Sequence, residues 1–158
     1  MNYDDIYIFT TDTVTGIGCK IDSKSLEKLY QLKKRPIDKK IMILAGRVED
    51  ILNCDNFDEK QKCFIAEFNK KYWPGQYSLI INDQGYRIPN NKRLIDFLIT
   101  NGPLYATSAN ISGQKPIQIT EAKKIFPEVK NVYDFGKVTN KPSDIYNYDI
   151  DEWIIRKG

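Results

Sequence analysis

Leu104-Tyr105-Ala106-Thr107-Ser108-Ala109-Asn110-Ile111-Ser112-Gly113 is a short strand that runs directly into a loop of small hydroxyl and amide residues. No charged residue follows until Lys115. Backbone amides and short side chains in such a loop can form a concavity suited to phosphate or carboxylate oxygens. The same residues also make an ordinary Asx or Ser turn, and local chemistry alone leaves the two readings level. Upstream, Leu94, Phe97 and Leu98 fall on one face of a helix that Gly102 and Pro103 close. Helix, strand and polar loop in this order are what an α/β sheet edge requires.

The pattern extends outward in both directions. Ile6 to Thr10 reads as a strand entering a Thr/Gly loop, Thr11 to Gly18. Leu26, Leu29 and Tyr30 recur at helical spacing after Asp22-Ser23, and that helix ends near Arg35-Pro36. Ile41 to Leu44 is a buried strand. Phe57, Phe64, Phe68 and Tyr72 mark a second helix that stops at Trp73-Pro74-Gly75. Strands follow at Tyr77 to Ile81 and Tyr86 to Ile88, a short helix starts at Thr120, and further strands lie near Val132, Ile145 and Trp153-Ile155. Helices and strands alternate early and strands dominate late. The expected fold is a twisted, mixed parallel and antiparallel sheet with flanking helices. No repeat or linker divides the 158 residues, so one domain spanning 1–158 is expected.

Composition narrows the chemistry. The chain has no histidine, which excludes Ser-His-Asp and Cys-His nucleophile systems and any histidine-ligated metal site. Catalysis must then rest on positioning, cations, hydroxyls, carboxylates or an oxygen-held metal, the tools of phosphoryl and nucleotidyl transfer. The three cysteines, Cys19, Cys54 and Cys63, form no CxxC pair and read as reduced thiols. A net charge of +3 is too small to argue nucleic-acid binding by itself. No apolar run is long enough to span a membrane, and the acidic start Met1-Asn2-Tyr3-Asp4-Asp5 is unlike a secretory signal, so a cytoplasmic protein is expected.

Other segments are ambiguous when taken singly. Thr10-Thr11-Asp12-Thr13-Val14-Thr15-Gly16-Ile17-Gly18 could hold a small polar substrate or be a β-turn in a Thr-rich sheet; it is not a P-loop, since GxxxxGK[ST] is absent. Leu32-Lys33-Lys34-Arg35-Pro36 could supply two cations to a polyphosphate. Taken alone, it is better read as a cationic helix end. Tyr72-Trp73-Pro74-Gly75-Gln76 reads as a helix stop packed on the core. Arg87 in Tyr86-Arg87-Ile88-Pro89, and Ser143 with Arg156, are weaker candidates.

Together, in order and spacing, these segments resemble the YrdC family of threonylcarbamoyl-AMP synthases. The family's PTDTVYGLG loop is similar to Thr10–Gly18, its lysine-x-arginine-proline segment to Lys33–Pro36, and its WPGPLT segment to Trp73–Ser78. Its VRxP strand resembles Tyr86–Pro89, and its GPL…TSANxSG signature resembles Gly102-Pro103-Leu104 and Thr107–Gly113. Its PSTIVD and LRxG pieces resemble Lys141–Ile145 and Ile155–Gly158. Two positions depart from the pattern: Thr10 stands where the family has proline, and Thr15 where it has an aromatic residue. The chain also starts almost at the first motif strand, without the helix that precedes it in the family, so a short single-domain form is expected.

The resemblance implies a YrdC-like fold and conversion of L-threonine, bicarbonate and ATP to threonylcarbamoyl-AMP and pyrophosphate. The product would serve N6-threonylcarbamoyladenosine formation in tRNA through partner threonylcarbamoyl transferase proteins. By position, Lys33, Arg35, Ser108 and Asn110 would surround ATP and the reacting carbamate. Thr11 and Arg87 would hold threonine, and Ser143 and Arg156 would contact the nucleotide. Mg²⁺ would be held through phosphate oxygens, with no dedicated protein metal site. A weak RNA contact and no membrane association are expected. Two alternatives stay open: a non-catalytic RNA-binding module, and a relative making a different carbamoyl or acyl adenylate.

Overall fold

The computed structural model describes residues 2–111, 113–115 and 117–156. Ser112 of the TSANxSG-like segment and Lys157-Gly158 of the terminal segment lie outside them. The strands are β1 (Ile6–Thr10), β2 (Thr15–Lys20), β3 (Met42–Leu44), β4 (Tyr77–Ile81), β5 (Gln84–Arg87), β6 (Leu104–Ser108), β7 (Asn131–Tyr133), β8 (Asp144–Asn147) and β9 (Glu152–Ile154). The helices are α1 (Ser23–Lys33), α2 (Val48–Leu52), α3 (Glu59–Tyr72), α4 (Lys92–Asn101) and α5 (Ile119–Ile125). The strands form a single sheet in the order β7-β1-β2-β6-β3-β5-β4-β8-β9. β1–β7, β3–β5 and β4–β8 are parallel, and the other pairs are antiparallel. This is the mixed sheet that the sequence predicts.

Strand alternation divides the core into layers. Ile6, Ile8, Ile17 and Cys19 meet Leu29 of α1 and Ala122 and Phe126 next to α5. Ile43, Leu79, Ile81 and Tyr86 meet Ile51 of α2 and Ile65 and Phe68 of α3. The alternate residues Tyr7, Phe9, Leu44, Leu104 and Ala106 point to the opposite face, where Leu94 and Leu98 of α4 cover them. Four helices therefore lie on the rear face and α4 on the front. Side-chain caps start the principal helices: Asp22 accepts from the Ser25 amide at 2.7 Å, Asn91 from the Leu94 amide at 3.0 Å, and Asp58 and Gln61 make a reciprocal capping box.

Two expectations are corrected. The stretch read as one loop, Thr11 to Gly18, is a loop only over its first residues; Thr15–Lys20 is β2, paired to β1 with Thr10 opposite Thr15. Threonine is a good strand former, and strand pairing on both sides of β2 absorbs Gly16 and Gly18. The second helix begins at Glu59 rather than Phe57, because Asp58 caps it, and α2 lacks a period long enough to be read from sequence.

Gly18 owes its identity to strand spacing. A Cβ there would stand 2.4 Å from the Tyr105 carbonyl oxygen, whereas a Cβ on Gly85 would meet the Met42 side chain at 3.5 Å, an ordinary contact. Gly18→Ala should therefore cost about 1–3 kcal/mol through overpacking, read as a lowered chemical-denaturation midpoint. Gly85→Ala should leave that midpoint unchanged or raise it.

Candidate functional site

The hairpin loop between β1 and β2 joins the front-face groups. Thr11 shapes it: its hydroxyl accepts from the Thr13 and Val14 amides at 3.0 and 3.1 Å and donates to the Val14 carbonyl at 2.7 Å. This is a side-chain-closed turn of the kind threonine favours. Asp12 follows and is buried. One of its carboxylate oxygens receives Arg87 Nη1 at 2.7 Å and the other the Asn90 amide at 2.8 Å. Arg87, only 4% exposed, also donates to the Gly75 carbonyl at 3.0 Å and to the Thr13 hydroxyl at 3.1 Å. These contacts employ both terminal nitrogens and leave the Nε–H without a protein partner among the described residues.

On the other side of the loop, the Thr15 carbonyl accepts the Ala109 amide at 2.8 Å, so the loop after β6 is fixed to the hairpin. Lys33 reaches this point from the last turn of α1. Its side chain is 1% exposed, and its ammonium donates to the Ser108 carbonyl at 2.5 Å and lies 3.5 Å from Asn110 Oδ1. An ammonium has three donors, so one is left for a ligand. Burial first, and the Arg35 charge second, lower the Lys33 pKa to about 8. The Asn110 amide group closes its own loop by donating to the Ile111 carbonyl at 3.2 Å and to the Gln114 carbonyl. The segment is thus a turn closed by the Asn110 amide group, with the buried Lys33 ammonium set against it.

Ser143 and Arg156 form a third group. The Ser143 hydroxyl meets that of Ser78 at 2.6 Å, and Arg156 Nε and Nη2 donate to the Ser143 carbonyl and hydroxyl at 2.7 and 3.1 Å. Burial and the nearby Arg87 charge push the Arg156 pKa below its ordinary value, so the two guanidiniums lie close enough to repel. Arg156 borders a cavity of about 710 Å³ whose walls also include Asp12, Asn90, Lys137, Thr139 and Lys141.

The structure therefore joins Lys33, Ser108 and Asn110 directly, and Ser143 with Arg156 directly. Arg87 connects to the first group through the Thr11–Val14 turn. Arg35 is placed differently: αL backbone at Lys34 (φ 53°) turns the chain, and the guanidinium donates to the Lys39 and Lys40 carbonyls at 3.0 and 2.7 Å. Sequence reasoning passed over Asp12, Ser78 and the segment 137–141. For Asp12 there was a signal, an acid between threonines in a chain where another strand carries an isolated arginine; the crossing itself is visible only in three dimensions. Trp73 packs in the core beside Phe68 and donates Nε1–H to the Tyr77 carbonyl at 2.8 Å, the structural role its sequence context predicts.

Solved structures share this fold. The P. abyssi Sua5 structure described as complexed with L-threonine superposes with a TM-score of 0.79 at 20% identity, over 92% of this chain and 48% of that one. E. coli YciO gives 0.79 at 19% identity, over 98% of this chain and 84% of that one. The fold class is thus that of Sua5 and YciO. The sequence model of the family described as "Telomere recombination" (Sua5, YciO, YrdC) matches residues 1–158, and the chain belongs to that family. A Methanocaldococcus jannaschii protein named "Putative threonylcarbamoyl-AMP synthase" is 32% identical over 166 residues, covering 97% of this chain and 79% of that one. A Mycoplasma pneumoniae protein described only as an uncharacterized MG259 homolog is 40% identical over 93 residues, covering 54% of this chain. The matched part spans only 20% of that relative's length, and for a second Mycoplasma relative 31%.

The Asp12–Arg87 pair yields a stability prediction, since both side chains are below a tenth exposed. Asp12→Asn turns an amide N–H toward either Arg87 or the Asn90 amide, a repulsive contact either way. Removing one partner of a buried pair typically costs about 3–5 kcal/mol. Urea denaturation should show such a loss for Asp12→Asn and a partial recovery in the Asp12→Asn/Arg87→Met double variant.

Proposed function

We propose that this chain is an L-threonylcarbamoyladenylate synthase. It would convert L-threonine, bicarbonate and ATP to threonylcarbamoyl-AMP and pyrophosphate, for N6-threonylcarbamoyladenosine in tRNA, with residues 1–158 acting as one catalytic domain. The observation that carries this reading is the buried Lys33 ammonium held at the Ser108–Asn110 turn, with a donor to spare. Family membership and the name of the M. jannaschii relative support it.

In this reading threonine carbamate is the nucleophile. The threonine nitrogen bonds to the bicarbonate carbon with loss of water to give that carbamate; a carbamate oxygen then bonds to the α-phosphorus of ATP as the bond from that phosphorus to the bridging oxygen breaks, and the electron pair leaves with pyrophosphate. An anion is attacking an anion, so the chain's task is to neutralise and align. Lys33 supplies one cation, and Arg35, which holds the Lys39 and Lys40 carbonyls in this structure, would supply the second on turning to the phosphates. Asn110 and Ser108 hold the phosphate end, Arg87 and the Thr11 turn hold the threonine end, and Ser143 with Arg156 holds the nucleotide. No general base is needed, because the carbamate oxygen is already deprotonated. Mg²⁺ would arrive with ATP on its phosphate oxygens; among the described residues no three acidic or thiol side chains converge as an all-protein ligand set. The product would pass in the cytoplasm to tRNA-threonylcarbamoyl transferase proteins.

Pyrophosphate release should require ATP, threonine and bicarbonate together. Release that persists without threonine would favour a different adenylate. No release, with salt-sensitive RNA binding, would favour the RNA module. Arg35→Ala should lower turnover by about 10²–10³, with only the small fall in thermal midpoint expected from its bonds to the Lys39 and Lys40 carbonyls.

Lys33 adds a pH signature. Its folded pKa is about 8 against 10.5 unfolded, so from about pH 8 to 10.5 the unfolded chain binds more protons. Through that window the Lys33 contribution to stability grows with pH. The catalytic cation is lost over the same window, so kcat/KM for ATP should fall above about pH 8 while the protein does not lose this part of its stability.

A further inference from the structure

A second cavity, of about 490 Å³, opens on the rear face of the sheet. Its floor is three side chains at one level of three adjacent strands: Ile43 pairs with Tyr86 on one side and with Tyr105 on the other. Strands lie about 4.8 Å apart, so the two tyrosines flank Ile43 with their backbones about 10 Å from one another. Tyr86 precedes Arg87 on β5 and points to the opposite face, so this cavity and the Arg87 site lie on opposite sides of the sheet. One wall is α2 with the loop after it, which brings Asp50, Cys54 and Asp55 to the rim.

The polar groups here are unevenly used. The Cys54 thiol donates to the Asp50 carbonyl at 3.2 Å, and burial raises its pKa, so it is a neutral wall group and not a nucleophile. Lys40 lines the rim, but its ammonium is bound to Asp83 at 3.0 Å. Asp50 meets Arg47 at 3.1 Å, and Asp55 accepts from Asn82 Nδ2 at 3.2 Å. Tyr86 is 1% exposed and lines the cavity, and its hydroxyl makes no protein hydrogen bond among the described residues; since no buried side-chain oxygen among them lacks a partner, this hydroxyl opens onto the cavity. Burial with Cys54, Asp55 and Tyr105 nearby raises its pKa, so the phenol stays protonated and offers both a donor and an acceptor. A hydroxyl that opens onto a cavity is completed there by water or by a ligand.

We propose that this rear cavity binds a small organic ammonium ion, with the Tyr86 hydroxyl oxygen accepting an ammonium N–H, the tyrosine rings and Ile43 holding its apolar body, and Asp55 balancing its charge. Aromatic faces beside carboxylates attract cations. Asp50 is neutralised by Arg47 and Lys40 by Asp83, so the Asp55 carboxylate is the charge left at the rim, and it disfavours an anion. The absence, among the described residues, of three converging acidic or thiol ligands disfavours a bare metal ion, and the aromatic and aliphatic floor disfavours a purely ionic occupant. The inference rests on the rear face alone and stands or falls separately from the proposed reaction.

The test is a titration of the ¹⁵N-labelled full chain with n-butylammonium chloride, using n-butanol and sodium n-butyrate as matched neutral and anionic probes. Butylammonium should give saturable shifts centred on Ile43, Cys54, Tyr86 and Tyr105, and the other two probes should not. Tyr86→Phe keeps the ring and should weaken binding about tenfold, the loss expected for a hydrogen bond to a charged group. Asp55→Asn, on an exposed loop where folding is not at risk, should also weaken it. No saturable shift, equal shifts with butanol, or unchanged affinity in both variants would overturn the proposal.

Discussion

The hairpin turn Thr11–Val14 is the constraint on which the front face depends, and the Asp12–Arg87 ion pair holds it in place. Two buried charges stay ionised only when each is fully paired and hydrogen-bonded. Here the carboxylate takes one guanidinium and one backbone amide, and the guanidinium takes a carboxylate, a carbonyl and a hydroxyl. That arrangement links β1–β2 to β5 although two strands separate β2 from β5 in the sheet order. From the same turn, Thr13 accepts the Asn140 amide at 2.7 Å and Thr15 accepts that of Ala109 at 2.8 Å. Three segments distant in sequence are thus registered on one turn.

Much of this was legible in the chain, and the limits have physical causes. Strong periodicity with caps gave α1, α3 and α4, and apolar runs gave β1, β3 and β4. β2 was hidden because glycines, which weaken a strand in isolation, are required there by close packing on β6. The membership of the Lys33, Ser108 and Asn110 group was legible through resemblance, but its geometry was not. A lysine at a helix end is ordinarily a solvated cap; only the tertiary path of α1 buries this one and aims it at the Ser108 carbonyl. Arg35, two residues on, has the same local signal and a different placement, which no one-dimensional pattern separates.

Each cavity is lined by charges of both signs: the front one by Lys137, Lys141 and Arg156 with Asp12 and Asp144, the rear one by Asp50 and Asp55 with Lys40, beside two tyrosines. β5 divides the faces within a single dipeptide, since successive residues of a strand point to opposite sides, Tyr86 to the rear and Arg87 to the front.

A side-chain contact accounts for one of the two departures from the family pattern. Thr10, where the family has proline, ends β1 with its hydroxyl accepting the Phe135 amide at 2.6 Å. A proline ring offers no such acceptor. The Asn91 side chain adds a bond to the Phe135 carbonyl at 3.2 Å, and Asn140 is fixed by Thr13, so the segment from β7 to β8 is anchored at both ends. That segment supplies Lys137, Thr139 and Lys141 to the 710 Å³ cavity. Thr15, where the family has an aromatic residue, is 1% exposed; its strand pairing and its bond to the Ala109 amide run through the main chain and are open to any residue, so nothing in them explains the replacement. The cations Lys33, Arg87 and Arg156 are each held by a hydrogen bond to a main-chain carbonyl.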